Sequence, residues 1–310
     1  MNKTVNWKEH IGVILDSKNG FDIIECATCR FKHAIPLPTE KELSTYYSEK
    51  FYAESSLIVD VRKEDLEWCR MVYAEQYELF ERFLPVTRHS ILDIGCGLGF
   101  FLELGKERGW IPYGIEPSQQ ASEYAQKLGI EVDNNSFNKE TASKLGNFDV
   151  VHMHEVLEHI SNPVKTLKLC KELIKLGGLL CVITPNDYNP FQQLLKRDQA
   201  WWVDPPTHLN YFDTNSLAHL LVASGFEILH KTTTFPMELF LLMGENYIDN
   251  VQLGRSCHGK RKELELNLQR GGLSELKQFM YKKLSEQGVG RETIIVAKNS
   301  VVGSNPLKYI

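Results

Sequence analysis

Short apolar runs alternate with amphipathic stretches from residue 90 onward. Each run is rich in Ile, Val, Leu or Phe, which is typical of strands covered on both faces of a sheet. The runs occupy residues 91–94, 110–115, 148–153, 179–184, 226–232 and 292–297. The stretches between them have helical spacing. Strands that alternate with helices predict an α/β fold with a doubly wound, mostly parallel sheet.

Capping residues set the helix boundaries expected in this part of the chain. Ser118 and Thr214 stand at N-cap positions, and Asn162 precedes a proline that suits the first turn of a helix. The pair Gly177-Gly178 is expected to end the helix that starts beside Asn162. The pattern therefore predicts separate helices between the strands.

The first 60 residues follow a different pattern. Residues 20–26 alternate polar and apolar side chains, Cys26-x-x-Cys29 suits a tight turn, and residues 31–36 read as extended. This predicts a small hairpin with a cysteine knuckle at its tip. Thr39 and Glu42 have the spacing of a capping box, which predicts a helix through Tyr47.

Helical periodicity returns twice outside the sheet. Residues 61–83 predict a helix before the first strand of the α/β core. Residues 236–289, rich in Glu, Leu and Lys, predict a helical insertion before the last strand. We therefore divide the chain into an N-terminal module at 1–60, a core at 61–235 and 290–300, and the insertion.

Composition narrows the classes of function. With 43% hydrophobic and 24% charged residues and a net charge of −5, the chain has no basic stripe that would favour a nucleic-acid partner. It begins without an apolar leader and has no apolar run long enough to predict a membrane span. Seven cysteines do not suggest a disulfide framework, so a reducing cytoplasm is expected.

A glycine-rich turn follows the first core strand. Gly95, Gly97 and Gly99 tolerate positive φ and let a ligand approach the backbone closely, and the following helix start offers free amides. A dinucleotide fingerprint needs glycine where Phe100 stands, so the spacing argues against NAD. Glu116 ends the second strand, where a carboxylate can accept hydrogen bonds from ribose hydroxyls.

These residues resemble a known family. LDIGCGLGF, YGIEPS, FDVVHMHEVLEHI, GGLLCVITPND and PTHLNYF are similar to motifs of class I S-adenosylmethionine-dependent methyltransferases. The bacterial group that resembles ubiquinone and sugar methyltransferases is the nearest in pattern. The resemblance implies a methyltransferase that binds S-adenosylmethionine on a Rossmann-like α/β domain with a doubly wound, seven-stranded sheet.

The resemblance also implies which residues hold the cofactor. The glycines and Asp93 would surround the methionine moiety, and Glu116 and Pro117 would hold the ribose. Ser136 and Phe137 would flank the adenine, and the residues after the strand at 148–153 would close the site. Many relatives carry an acidic residue near Ser136, so the adenine contact departs from the pattern. The implied cofactor residues are Asp93, Gly95, Gly97, Gly99, Glu116, Pro117, Ser136, Phe137, His154 and Glu155.

The segment His154 to His159 does not have the spacing of a zinc protease. The pattern H-E-x-x-H would need a histidine where Glu158 stands, and H-x-x-E-H would need one in place of Glu155. Cofactor packing is the expected role of His154, and capping or core hydrogen bonding that of Glu158 and His159.

The loop from Trp201 to Phe212 follows the predicted strand at residues 179–184, at the edge where such sheets bind ligands. Trp201 and Trp202 could floor a pocket for a sugar or an aromatic ring. A hydroxyl acceptor must lose a proton, and the resemblance implies His208 as the base; the alternative is a histidine that pins the loop. Asp204 and Tyr211 are supporting candidates.

The helical insertion supplies further candidates for substrate contacts. Glu238, Tyr247, His258 and Arg261 lie in it. The insertion could cover the acceptor pocket or form the surface of a homodimer, and the sequence leaves both alternatives open.

Cys26 and Cys29 resemble half of a zinc knuckle, and His33 could be a third ligand. Structural zinc takes four ligands, and the chain has no second C-x-x-C pair. A bound zinc and a degenerate knuckle without metal both remain open, whereas a catalytic redox pair is not favoured.

The sequence thus predicts an S-adenosylmethionine-dependent O-methyltransferase with a small-molecule acceptor, a sugar or nucleotide-linked sugar that would make the reaction a carbohydrate modification. A C-methyltransferase on a keto-sugar is the close alternative. A cofactor-binding scaffold without turnover is the alternative from another class.

Overall fold

The computed structural model describes residues 4–39, 42–43, 65–196 and 200–300. The strands in these ranges are β1 Thr4–Trp7, β2 His10–Lys18, β3 Phe21–Cys26, β4 Lys32–Ile35, β5 Ser90–Ile94, β6 Ile111–Ile115, β7 Glu131–Asp133, β8 Phe148–His154, β9 Ile174–Pro185, β10 Asn210–Tyr211, β11 Phe226–Thr233 and β12 Glu292–Asn299. The α-helices are α1 Leu66–Phe83, α2 Phe100–Glu107, α3 Gln119–Lys127, α4 Lys139–Ala142, α5 Pro163–Leu173, α6 Pro190–Leu195, α7 Thr214–Ala223, α8 Glu238–Leu242, α9 Val251–Arg270 and α10 Ser274–Glu286.

Seven strands form the main sheet, in the order β11-β12-β9-β8-β5-β6-β7. The pairs within β9-β8-β5-β6-β7 are parallel, whereas β12 runs antiparallel to both of its neighbours. Buried apolar residues cover both faces of this sheet. The predicted Rossmann-like, mostly parallel seven-stranded sheet is confirmed, and its topology brings the carboxyl ends of β5, β6, β8 and β9 to one edge.

Two of the predicted helix boundaries are wrong. Asp213, and not Thr214, caps α7, because its carboxylate accepts hydrogen bonds from the amides of Asn215 and Ser216, each at 2.9 Å. Helix α5 ends at Leu173, so Gly177-Gly178 lies inside β9. A Cβ on Gly178 would lie 2.7 Å from the Asp149 carbonyl oxygen, so this glycine allows two strands to approach each other.

The N-terminal region is larger than the predicted hairpin. Strands β1 and β2 precede it, and the order β1-β2-β3-β4-β10 forms a second sheet, which we call the front sheet. Its last strand, Asn210–Tyr211, comes from the loop after β9. The capping box of Thr39 and Glu42 is present, with 2.7 Å from the Thr39 amide to the Glu42 carboxylate; Tyr47 lies outside the described residues.

Polar and apolar contacts fasten the front sheet to the core. The Lys18 ammonium donates to the Val203 carbonyl at 2.6 Å, and Lys196 pairs with Asp16 at 2.8 Å. Ile23 and Ala34 pack in one apolar cluster with residues of the 200–211 segment. The front sheet and the loop that follows β9 are therefore built on each other.

Helix α1 covers one face of the core beside the start of α2. The Tyr77 ring stacks on Phe101 with 4.7 Å between ring centroids, and its hydroxyl donates to the Phe101 carbonyl at 3.1 Å. The prediction started this helix at Val61, which lies outside the described residues. The predicted helical insertion is present as α8, α9 and α10 between β11 and β12.

Among the described helices, none combines the length and the hydropathy that a membrane crossing requires.

Candidate active site

The turn between β5 and α2, residues 95–99, forms the first half of the site. Gly95, Gly97 and Gly99 have φ of 75°, 53° and 80°. A Cβ on Gly95 would lie 2.6 Å from Val156 Cγ2, and one on Gly99 would lie 2.7 Å from Ala125 Cβ, so packing requires glycine at both positions. A Cβ on Gly97 would meet no atom within 4 Å. This glycine faces open space, where a ligand can approach the backbone.

Glu116 holds the other side of this glycine turn. Its carboxylate accepts hydrogen bonds from the Gly97 amide at 2.9 Å and from the Ser118 amide at 2.8 Å. Burial raises the pKa of Glu116, and the two amides oppose that rise. Each carboxylate oxygen keeps a lone pair that can accept a further hydrogen bond. An open backbone beside a carboxylate fits the adenosyl group that the sequence predicts, with Glu116 toward its ribose.

Asp93 lies beneath the turn in a buried pair. Its carboxylate is 2.7 Å from His152 Nδ1, and both side chains are almost fully buried. The His152 ring stacks on Phe101 at 4.3 Å between centroids. Together the two contacts link the end of β5, through His152 of β8, to the first turn of α2, so Asp93 supports the shape of the glycine turn.

The predicted adenine residues lie after β7. The side chain of Ser136 is exposed, and its carbonyl accepts from Asn138 Nδ2 at 3.2 Å. Phe137 is half-buried against the core, and Pro117 is exposed. Asn134 links this segment to the carboxylate side of the turn by donating to the Glu116 carbonyl at 2.8 Å. The adenine contact itself stays a prediction.

A cavity of about 270 Å³, the central cavity, adjoins the glycine turn. The segment 154–156 connects the two, because His154 and Glu155 line the cavity while Val156 contacts Gly95. The walls come from α1, α9, the end of β8 and the start of β12. Their side chains include Trp68, Tyr73, Gln76, His154, Glu155, His258, Arg261, Arg291 and Glu292.

His154 and Glu292 form a hydrogen-bonded pair in the cavity wall. His154 Nε2 lies 2.8 Å from the Glu292 carboxylate. Burial disfavours the ionised form of Glu292, yet the hydrogen bond to His154, with smaller contributions that include Arg261 and Thr234, outweighs burial and lowers the pKa of Glu292. An ionised carboxylate fixes the orientation of a histidine ring and stabilises its protonated form.

Two basic side chains of the cavity, Arg261 and His258, lie beside acids. Arg261 lies 3.1 Å from Glu265 and 4.9 Å above the Trp68 ring. His258 Nε2 lies 3.3 Å from Asp65. The predicted contacts thus both reach the cavity, Arg261 as a member of an ion pair and His258 beside an acid, with its pKa lowered by burial.

The other two candidates of the insertion, Glu238 and Tyr247, are not among the residues that line this cavity. Glu238 is buried and accepts a hydrogen bond from Gln192 Nε2 at 3.2 Å. Asp187 lies in the same polar group; burial raises its pKa to about 7, against the opposing charge of Arg291. Glu238 therefore does not line the cavity itself, but its charge acts on Arg291, which does.

The loop at 200–209 has a different role from the predicted acceptor floor. Trp202 and Tyr211 are buried in the apolar cluster beneath the front sheet, and Trp201 packs against it. Asp204 is exposed, 3.9 Å from Lys18. This burial gives the aromatic side chains a packing role and does not favour the predicted contact with a sugar.

His208 lies in a second polar group beside this loop. Its ring centroid is 5.0 Å from that of His159, and burial, together with His159 and Arg291, lowers the pKa of His208 to about 3. Burial also raises the pKa of Glu158 well above its usual range. Neither carboxyl oxygen of Glu158 has a hydrogen-bond partner among the described residues. One ligand atom each from Glu158, His159 and His208 lie within 4.8 Å of one another, so this group could also hold a cation.

The structure does not place His208 among the residues that line the central cavity. Its lowered pKa makes His208 a weak base. The sequence suggested it as the base that takes the acceptor's proton, from the family resemblance and because a free histidine titrates near neutrality. The base assignment for His208 stays a prediction.

The sequence did not single out Trp68, Tyr73, Arg291 or Glu292. No motif surrounds any of them, and they meet only because α1 and β12 fold against the end of β8. The predicted metal pair, Cys26 and Cys29, lies outside this site in the front sheet.

Comparison with known proteins shows similarity to methyltransferases. A family model described as a methyltransferase domain matches residues 67–231. Ubiquinone biosynthesis O-methyltransferase of Agrobacterium fabrum is 30% identical over 161 residues, which cover 49% of this chain and 64% of the relative. The protein of the same name from Escherichia coli O157:H7 is 35% identical over 135 residues, covering 42% and 56%. The chain therefore spans less than two thirds of either relative.

Among solved structures, the plantazolicin methyltransferase BamL has a TM-score of 0.51 and 16% sequence identity, covering 84% of this chain and 95% of that one. At this identity the likeness concerns the fold, and it agrees with the main sheet described above.

Proposed function

This chain belongs to the methyltransferase-domain family, and from that premise we propose that it transfers a methyl group from S-adenosylmethionine to a hydroxyl oxygen of a small acceptor. The observation that carries the proposal is the glycine turn with Glu116. Gly97 faces open space, and the carboxylate beside it keeps free acceptor positions. Gly95, Gly97, Gly99 and Glu116 would hold the cofactor.

When bound, S-adenosylmethionine supplies an electrophilic methyl carbon, and the chain itself must position the acceptor and manage its proton. The central cavity adjoins the glycine turn through residues 154–156, so an acceptor there is held next to the cofactor side. We assign His154 as the group that takes the acceptor's hydroxyl proton. Glu292 would hold the ring in place and stabilise its charge once it is protonated.

The walls of the central cavity favour a neutral acceptor about the size of one ring. Trp68 and Tyr73 provide apolar surface, Arg261 already has an acidic partner in Glu265, and burial lowers the pKa of His258. Arg291 also lines the cavity, and the charges of Asp187 and Glu238 act on it. A volume of about 270 Å³ is small for a nucleotide-linked sugar. The printed names of the relatives, O-methyltransferases of ubiquinone biosynthesis, support oxygen as the methyl acceptor. A hydroxylated aromatic ring is therefore favoured over the sugar that the sequence predicted.

Two measurements test this function. Calorimetry should show saturable binding of S-adenosylmethionine to the purified full chain. Transfer of an isotope-labelled methyl group should then be assayed on a panel of small phenols and catechols, free sugars and nucleotide-linked sugars. We expect turnover with a hydroxylated ring. Binding without turnover on any class would support the scaffold alternative, and absence of binding would overturn the proposal altogether.

A further inference from the structure

Four side chains with metal-ligand chemistry meet in the front sheet. His10 begins β2, Cys26 ends β3, Cys29 lies in the turn that follows, and His33 lies on β4. One ligand atom from each lies within 4.8 Å of the others. His10 Nδ1 is 3.3 Å from Cys29 Sγ and 3.8 Å from Cys26 Sγ.

The two distances from His10 Nδ1 to the cysteine sulfurs match those between ligands of a tetrahedral zinc ion. Zn–S bonds of about 2.3 Å and Zn–N bonds of about 2.0 Å place neighbouring ligands about 3.3–3.8 Å apart around a tetrahedral ion. Two thiols and two imidazoles also complete the four-ligand set of a structural zinc site. The sequence alone supplied Cys26, Cys29 and a possible third ligand, whereas the fold adds His10 from the neighbouring strand.

His33 is prepared as a ligand by its own hydrogen bond. Its Nδ1 lies 3.0 Å from the Ala34 carbonyl oxygen, which can only accept, so the ring proton is on Nδ1. Nε2 is left with a lone pair, and it has no hydrogen-bond partner among the described residues, although the side chain is 1% exposed. An unsatisfied buried nitrogen costs about 1–3 kcal/mol, and a metal ion would satisfy it.

The turn that carries the cysteines is also fixed by the sheet. The Cys29 amide donates to Cys26 Sγ at 3.4 Å, which fixes the two cysteines relative to each other. Thr28 donates to the Glu9 carbonyl at 2.8 Å, which ties the turn to the start of β2 beside His10. A cavity of about 420 Å³ borders Cys29 and His33 and gives an ion access. We propose that His10, Cys26, Cys29 and His33 bind one zinc ion that fixes the loop carrying His208 through the front sheet.

The link from the metal site to that loop is a strand pairing. His33 pairs directly with Asn210 of β10, and the Ala34 amide donates to the Leu209 carbonyl at 2.8 Å. Asn210 Nδ2 in turn donates to the carbonyls of Leu157 and Ile160, at 3.0 and 2.7 Å. A tetrad with four protein ligands has no open position for substrate, so the ion's role is structural. The proposal does not depend on the methyl-transfer function.

Metal content is the direct test. The full chain, purified from zinc-supplemented cells without chelators, should contain about one zinc per chain by elemental mass spectrometry. Replacement by Co²⁺ should give the charge-transfer and visible bands of tetrahedral thiolate coordination. A chain that holds no zinc and takes up neither ion in titration would overturn the proposal, as would a Cys26–Cys29 disulfide in protein kept under reducing conditions.

Variants locate the ion. Cys29→Ser and His33→Gln should each weaken zinc binding at least about tenfold in competition with a chromogenic chelator. Cys257→Ser, a buried thiol on α9 outside the tetrad, is the matched control and should retain the wild-type zinc content. Equal zinc content in Cys29→Ser and wild type would place the ion elsewhere and overturn the assignment. If either tetrad variant fails to fold, the cobalt spectrum of the wild type still decides.

Hydrogen exchange tests the structural link. Removing zinc from the full chain should speed amide exchange in β4 and in residues 207–212, while β5 and α2 keep their protection. Re-addition of Zn²⁺ alone should restore the slow exchange. Unchanged exchange at 207–212 in a chain that demonstrably lost its zinc would overturn the proposed effect on the loop.

Discussion

The glycine turn and the central cavity adjoin each other but are built in opposite ways. The turn consists of consecutive residues, Gly95 to Gly99, and its partner Glu116 comes from the adjacent strand. The cavity wall instead combines Trp68 of α1 with His154 and Glu292, which lie far apart in the chain. A site made by local backbone geometry leaves a recognisable spacing in the sequence, whereas one assembled from distant segments does not.

The largest expected effect comes from filling the open side of the glycine turn. Gly97→Ala should weaken binding of S-adenosylmethionine at least about 100-fold, because the new Cβ occupies the space that the ligand approaches. Gly109→Ala is the matched control, since this glycine also has positive φ (89°) and an open Cβ position. Both variants should lose about 1–2 kcal/mol of stability from backbone strain. Equal affinity of the two variants for S-adenosylmethionine, measured by calorimetry, would contradict the proposal that the glycine turn binds the cofactor.

A change in the cavity wall should separate chemistry from cofactor binding. His154→Gln should lower kcat about 100-fold and leave the affinity for S-adenosylmethionine nearly unchanged, because a proton acceptor is lost. Glu292→Gln should have a smaller effect of the same kind and should shift the pH dependence of kcat. His219→Gln, near Arg30 on the surface, serves as the control. Wild-type kcat in His154→Gln would remove this residue from the mechanism.

Glu116→Gln should weaken cofactor binding about tenfold. The amide can still accept one hydrogen bond, but it loses the charge and the second acceptor oxygen, so the effect is smaller than at Gly97. The substitution Glu131→Gln, on the exposed start of β7, should leave the dissociation constant unchanged. A Glu116→Gln variant with wild-type affinity in calorimetry would mean that this carboxylate serves only to close the turn.

The smallest expected effect concerns stability and its dependence on pH. The folded protein holds the pKa of Glu158 above its unfolded value, so Glu158 costs stability as the pH rises above about 4.5, where the unfolded chain ionises freely. Glu158→Gln should therefore gain about 1 kcal/mol relative to wild type between pH 4 and pH 7, by urea denaturation. Glu172→Gln, at an exposed position, should show no such trend. A difference that is constant with pH would show that Glu158 is ionised in the folded state.

The contrast between the local glycine turn and the cavity assembled from distant segments also explains which features the sequence could predict. Strand periodicity, the glycine spacing and Glu116 depend on neighbours in the chain or in the sheet, so six of the seven strands of the main sheet and the cofactor turn could be predicted. Strand β7 has only three residues, too few to show a pattern. Strands β1 and β2 were missed, and with them the position of His10, because β1 has only four residues and the apolar residues of β2 follow one another without a regular alternation. The aromatic loop is a different case: tryptophans suit a ligand pocket and an apolar core equally well, and the packing of Trp202 and Tyr211 against the front sheet became visible only in the fold.

The two-residue strand β10 has a consequence for how the molecule comes apart. Because Asn210 and Tyr211 belong to the front sheet while β9 before them and α7 after them belong to the α/β core, neither part can open without exposing the apolar seam that it shares with the other. Heating should thus melt both sheets in one cooperative step, and trimming the chain back to the segment shared with other methyltransferases would strip away half of that seam.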